Sequence, residues 1–163
     1  GNEQLETAMH QLLDQDIAAQ NLLQASDDEI NIIIPFNHDV IKVYRSEGTN
    51  DLDDLDKAIR KLNPGGGTDM YKAAETALEE MANYYLSQFQ PAIIMMTDGL
   101  SGGDVEAFKD TYEAFTYDVP IFSISFGSAD LAQLEDLATL SRARVFDGKD
   151  DLVETFRKVK GYN

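Results

Sequence analysis

Residues 65–81 read GGGTDMYKAAETALEEM, and residues 92–99 read AIIMMTDG. In the first stretch a run of glycines passes straight into a segment whose Ala73, Ala74, Ala77, Leu78 and Met81 line one face at helical spacing. In the second, a continuous apolar strand over Pro91–Thr97, with the look of a strand buried on both faces, runs into Asp98-Gly99. A helix opened by glycines and a strand closed by a carboxylate are parts of an α/β sheet. In open sheets of this class, ligands bind beyond the carboxyl ends of the strands.

Outward from this centre the same alternation continues. Leu5, Ala8, Met9, Leu12, Leu13 and Ile17 predict an amphipathic helix over roughly 3–24. Glu29–Phe36 (EINIIIPF) and Val40–Tyr44 are two β-branched runs separated by the turn Asn37-His38-Asp39, which predicts an antiparallel hairpin. Leu52, Leu55, Ile59 and Leu62 mark a short helix stopped at Asn63-Pro64-Gly65. Beyond the strand ending at Thr97, Val105, Phe108, Tyr112 and Phe115 predict a helix, and Val119–Phe126 a strand. Leu131, Leu134, Leu137 and Ala138 predict another helix, Arg144–Phe146 a short strand, and Leu152, Phe156 and Val159 a last helix. Strand–helix alternation calls for a doubly wound, mostly parallel sheet with helices on both faces, in a single domain over residues 1–163.

Composition narrows the partners. Thirteen basic against thirty acidic residues give a net charge of −17, a field that repels nucleic-acid phosphates and anionic lipid and favours cations. It also keeps a surface solvated and self-repelling. With no cysteine, disulfides, thiolate metal sites and cysteine nucleophiles are excluded. No apolar run approaches the ~18–20 residues that span a bilayer, so direct membrane insertion is not expected. The N-terminus reads as a helix start rather than a signal peptide.

Two loops carry chemistry. Gly65–Gly67 let the backbone pass close to another group, and Thr68 brings a hydroxyl to a helix N-terminus. The same segment is also consistent with a plain turn in which Thr68 or Asp69 caps the helix. Asp98 stands at the sheet edge, where a carboxylate needs a partner or water. Together Thr68 and Asp98 offer hard oxygen ligands, suited to Mg²⁺, Mn²⁺ or Ca²⁺ rather than to a soft metal.

The remaining candidates point to solvent or to structure. His10 and His38 read as surface residues. No lysine follows the glycines as a phosphate loop requires. Asp98 is followed by glycine rather than a second aspartate, and Ser101 has no histidine in a hydrolase context. The acidic cluster Asp51, Asp53, Asp54 and Asp56 reads as capping and solvating a helix start, with weak cation binding as the other possibility. Glu135-Asp136 and Asp147–Asp151 read the same way.

Taken in order, GGGTDMYKAAETALEEM, AIIMMTDG and DVPIFSISFG (residues 118–127) resemble the von Willebrand factor A domain over nearly the whole chain. The resemblance implies a doubly wound fold carrying a metal-ion-dependent adhesion site, with Thr68 and Asp98 among the ligands and Asp69 as a helix cap or supporting group. It implies a non-enzymatic, cation-dependent protein-binding module, in which an acidic side chain of a partner fills the open metal position. A structural interaction domain with a vestigial metal site is the alternative; an Asp98-based phosphoryl-transfer or hydrolytic enzyme is a remoter one.

The sequence departs from the family in one respect. The Asp-x-Ser-x-Ser loop, which ends the family's first central strand and supplies three ligands, does not occur; Ser123-Ile124-Ser125 lies inside a strand with no aspartate two residues ahead. By family topology the missing strand belongs between Glu29–Phe36 and Pro91–Thr97. The expectation is therefore that the chain is N-terminally incomplete or that another chain supplies the strand, with metal binding by Thr68 and Asp98 alone weak or absent. The tail Val145–Asn163 resembles the end of A domains in bacterial surface proteins, which implies an extracytoplasmic parent protein.

Overall fold

The computed structural model describes residues 28–48, 52–61, 67–97, 100–127, 129–149 and 152–161. The predicted helix over 3–24, His10, Asp51, Gly65, Gly66, Asp98 and Gly99 lie outside the described residues.

Among the described residues the elements run β1 (Ile30–Ile33), β2 (Tyr44–Glu47), α1 (Leu52–Arg60), α2 (Met70–Met81), a 3₁₀ turn (Leu86–Gln88), β3 (Ile93–Thr97), α3 (Val105–Ala114), β4 (Ile121–Ser125), α4 (Leu131–Ser141), β5 (Val145–Asp147) and α5 (Leu152–Gly161). Strands β3, β4 and β5 form a parallel sheet in that order, with Ile93 opposite Ile121 and Ser123 opposite Val145. Strands β1 and β2 form a separate antiparallel pair, with Ile30 opposite Glu47 and Ile33 opposite Tyr44.

The expected hairpin is present, but its second strand lies further along the chain than Val40–Tyr44. Pro35 cannot donate to a ladder, so β1 ends before it. Residues 35–41 instead close into a narrow finger, in which Ile41 N–H donates to the Pro35 carbonyl (2.9 Å) and Phe36 bridges Val40. Regular pairing resumes only at Tyr44.

The parallel sheet separates two cores because successive side chains on a strand alternate faces. On one face Ile93, Met95 and Ile121 pack with Met70, Tyr71, Ala74 and Leu78 of α2, Phe108 and Tyr112 of α3, and Leu134 and Leu137 of α4. On the other, Phe122, Ile124, Phe126 and Phe146 pack with Phe156 and Val159 of α5. Every residue of β4 is buried. β3 differs from its expected burial on both faces: Ile93, Met95 and Thr97 are buried, but Ile94 and Met96 are only half-buried. The reason lies in the pairing, since β3 has β4 on one side and no strand on the other among the described residues.

Each of the three helices around the first core opens on an aspartate. Asp69, Asp104 and Asp130 accept from Lys72 N–H (3.0 Å), Ala107 N–H (2.9 Å) and Ala132 N–H (2.9 Å), which satisfies amides that the helix itself leaves free. The acidic cluster on α1 is mixed. Asp53 and Asp54 are exposed in its first turn, but Asp56 is buried and pairs with Arg60 at 3.3 Å, a correction to its reading as a solvated residue. A buried carboxylate needs such a partner, and the i,i+4 spacing supplies it.

Candidate metal-binding face

At the carboxyl edge of the sheet three loops meet around Thr68. The finger approaches from one side, where Asp69 N–H donates to the Asn37 carbonyl (2.7 Å) and Lys72 Nζ pairs with Asp39 Oδ1 (2.6 Å). That contact holds the Asp39 carboxyl below its ordinary range, through the hydrogen bond from Lys72 first and the Val40 amide second. It raises Lys72 correspondingly. Gly67 lies against His38, whose Cβ would stand 3.5 Å from a side chain placed there; His38 is exposed, as the sequence suggested.

The loop after β3 approaches from the other side. Gly102 N–H donates to the Thr68 carbonyl (2.7 Å), and Met70 N–H donates to Ser101 Oγ (2.9 Å). Ser101 Oγ in turn donates to the Gly102 carbonyl (2.8 Å), with the Thr68 carbonyl at 3.4 Å. Gly103 crosses so close to α2 that a Cβ there would fall 2.3 Å from the Asp69 carboxylate, and its φ of +97° independently favours glycine.

A third element joins from α4. The side-chain amide of Gln133 grips the Ser101 peptide groups from both ends: Ser101 N–H donates to Gln133 Oε1 (2.8 Å) and Gln133 Nε2 donates to the Ser101 carbonyl (2.8 Å). On the outside of this clasp two leucines face solvent, Leu100 at 67% exposure and Leu131 at 53%. Just beneath, burial raises the Tyr71 hydroxyl above its ordinary pKa, with Asp136, Asp130 and Asp69 adding to the effect.

Of the two residues the sequence assigns to a cation, Thr68 is at the centre of this convergence and Asp98 lies outside the described residues. Thr68 is half-buried; its carbonyl is tied down, whereas its hydroxyl has no hydrogen bond among the described residues. A hydroxyl on a pinned backbone, unengaged among the described residues, is an oxygen donor of the kind a hard divalent cation takes. Asp69 does not compete for that role, because its carboxylate caps α2. No group of three or more His, Asp or Glu side chains arranged to hold a metal occurs among the described residues. From the sequence Gln133 has no assigned role, and Ser101 enters only as a nucleophile without a histidine. Nothing in residue type or spacing marks a glutamine that meets a serine 32 positions away.

No helix among the described residues is long and apolar enough to cross a membrane. The family model of the von Willebrand factor type A domain matches residues 4–158. No curated protein matches. Among solved structures, a von Willebrand factor type A structure from Catenulispora acidiphila superposes with a TM-score of 0.68 at 14% identity, covering 96% of this chain and 37% of that one. The chain thus spans little more than a third of the length of that structure. The SpRpn10 VWA domain superposes with a TM-score of 0.65 at 12% identity, covering 96% of this chain and 82% of that one. At such identities the likeness speaks for the fold, which the match over 155 residues places in a family: the chain belongs to the von Willebrand factor type A domains.

Proposed function

We propose that the face around Thr68 is a cation-dependent, non-catalytic protein-binding site. Domains of this family are generally protein-interaction modules. In this reading Thr68 and Asp98 ligate Mg²⁺, with Mn²⁺ or Ca²⁺ as substitutes, and a carboxylate of the partner protein takes an open coordination position. The observation that carries it is the geometry at Thr68: backbone fastened from the finger, the β3 loop and α2, hydroxyl unengaged among the described residues. Leu100 and Leu131 add an apolar rim of the kind a protein partner covers. The acidic balance of the chain draws the cation and leaves nucleic acid an unfavourable partner.

The remaining ligands belong, on this reading, to a strand seated between β1 and β3, whose two sheets share no hydrogen-bonded strand pair among the described residues. Such a strand would pair the outer edge of β3 and cover Ile94 and Met96.

Mn²⁺ titration followed by calorimetry and electron paramagnetic resonance tests the site. Thr68→Ala and Asp98→Asn should each weaken Mn²⁺ binding by tenfold or more with the fold retained, and chelator should abolish binding to a carboxylate-bearing peptide. Absence of Mn²⁺ binding, including when the strand with its ligand loop is supplied, would favour a structural interaction domain whose metal site is vestigial.

A further inference from the structure

We infer that Gln133 is a positioning residue for Thr68, acting from α4 through Ser101, so that the first turn of α4 and the cation face move as one unit. The assignment rests on the cation site proposed above and extends it to a residue that touches neither metal nor partner.

Ser101 is 7% exposed, so its peptide N–H and C=O cannot fall back on bulk water. One planar amide satisfies both, each at 2.8 Å, and this two-point grip fixes the orientation of the peptide groups on either side of Ser101. A single-point contact would leave rotation free. From Ser101 two further bonds reach the other loop: Met70 N–H to Ser101 Oγ at 2.9 Å, and Gly102 N–H to the Thr68 carbonyl at 2.7 Å. Thr68 is thus bracketed by two groups whose positions Gln133 determines. Gln133 is itself held at the start of α4, where its N–H donates to the capping carboxylate of Asp130 at 3.3 Å.

The bonds run through consecutive rigid units, so a displacement of α4 at its N-terminus is transmitted to Thr68 without a change in the sheet. Leu131, two residues before Gln133, and Leu100, next to Ser101, lie at the outer end of the same linkage. A protein partner pressing on that apolar pair therefore acts on the cation ligand, and cation binding in turn orders the leucines.

The test compares Gln133→Leu, which keeps the volume and removes both hydrogen bonds, with the wild-type 163-residue protein by NMR-detected amide hydrogen exchange, and by Mn²⁺ titration with the strand and its ligand loop supplied. Exchange at Ser101, Gly102 and Met70 should accelerate tenfold or more, while amides of β4 stay protected. Mn²⁺ broadening of the Thr68 resonances should need about tenfold more Mn²⁺. Ser101→Ala, which keeps the Gln133 clasp and removes only the hydroxyl, should release the Met70 amide and leave the Ser101 amide protected. If Gln133→Leu does not fold, Gln133→Glu, which keeps the acceptor for the Ser101 N–H and loses the donor to its carbonyl, decides the matter by the same two measurements. Unchanged exchange at Met70 and Gly102 in Gln133→Leu, or unchanged Mn²⁺ affinity despite faster exchange, overturns the assignment. No Mn²⁺ broadening at Thr68 in the wild-type protein with the strand and its ligand loop supplied, with the exchange result as expected, overturns the cation reading instead and leaves the mechanical linkage standing.

Discussion

Strand β4 of the parallel sheet (IFSIS) and strand β1 of the antiparallel pair (INII) are built from similar β-branched and apolar residues with one or two polar ones, yet they are buried very differently. All five residues of β4 are buried, to the point that the Ser123 hydroxyl is enclosed without a hydrogen-bond partner among the described residues. All four residues of β1 are only half-buried, with Leu52 and Leu55 of α1 packed against Ile33. Composition does not separate the two. What does is neighbours: β4 has a strand on each side and helices above and below, whereas among the described residues β1 has one strand and one small cluster. The two regions meet chiefly through α2, by way of Asn37 to Asp69, Asp39 to Lys72, and the Arg45–Glu80 ion pair. The candidate site lies on that seam.

The largest expected effect tests this contrast directly. Phe122→Ala, in the enclosed strand, should cost about 3–5 kcal/mol, a large part of the stability of a domain of this size. Ile32→Ala, in the half-buried strand, should cost roughly 1–1.5 kcal/mol, in proportion to the area it hides. Urea unfolding measures both, and equal costs would mean that the hairpin is as tightly packed as the sheet.

At the seam, Gly103→Ala places a methyl group on the Asp69 carboxylate and strains a positive φ. It should destabilise by about 1–3 kcal/mol and loosen the α2 cap, seen as faster exchange of the Lys72 amide. A neutral outcome would show that the loop after β3 can retreat from α2 without penalty, breaking the claim that the two are locked.

The smallest effect concerns the Asp39–Lys72 pair, whose groups are both solvent-exposed. The folded pKa of Asp39 is depressed, so its contribution is present above the unfolded value near 3.8 and is lost as pH falls through the lower folded value. Lys72 is raised, so its contribution is present below 10.5 and is lost as pH rises through the folded value. Between those limits the finger should stay on α2. Asp39→Asn should therefore change thermal stability only slightly at pH 7, and by less as the pH falls through the folded pKa of Asp39. A substantial loss at pH 7 would make the finger a stronger brace between the regions than its exposure suggests.

Much of this was legible in residue order. Periodicity located α1 through α5 and β3 through β5 to within a few residues, because amphipathic spacing and apolar runs are local signals of burial. Asp69 as a cap and His38 as a surface residue also followed from local chemistry. Val40–Tyr44 has strand propensity and so predicts the second strand of the hairpin too early, because Pro35 and the finger set the register elsewhere. Asp56 looked like its exposed neighbours because charge alone does not reveal that a helix has turned one carboxylate inward.

The sequence by itself determined the alternation of strand and helix, the capping residues and the glycine–threonine loop, since each depends on residues within a few positions of one another. Only the tertiary structure decided that Gln133 reaches Ser101, that Gly103 passes over Asp69, and that Ile94 and Met96 remain half-buried on a strand paired on one side among the described residues. Those facts depend on which strand ends the fold brings together, and contacts across 32 or more positions leave no periodic trace in the chain.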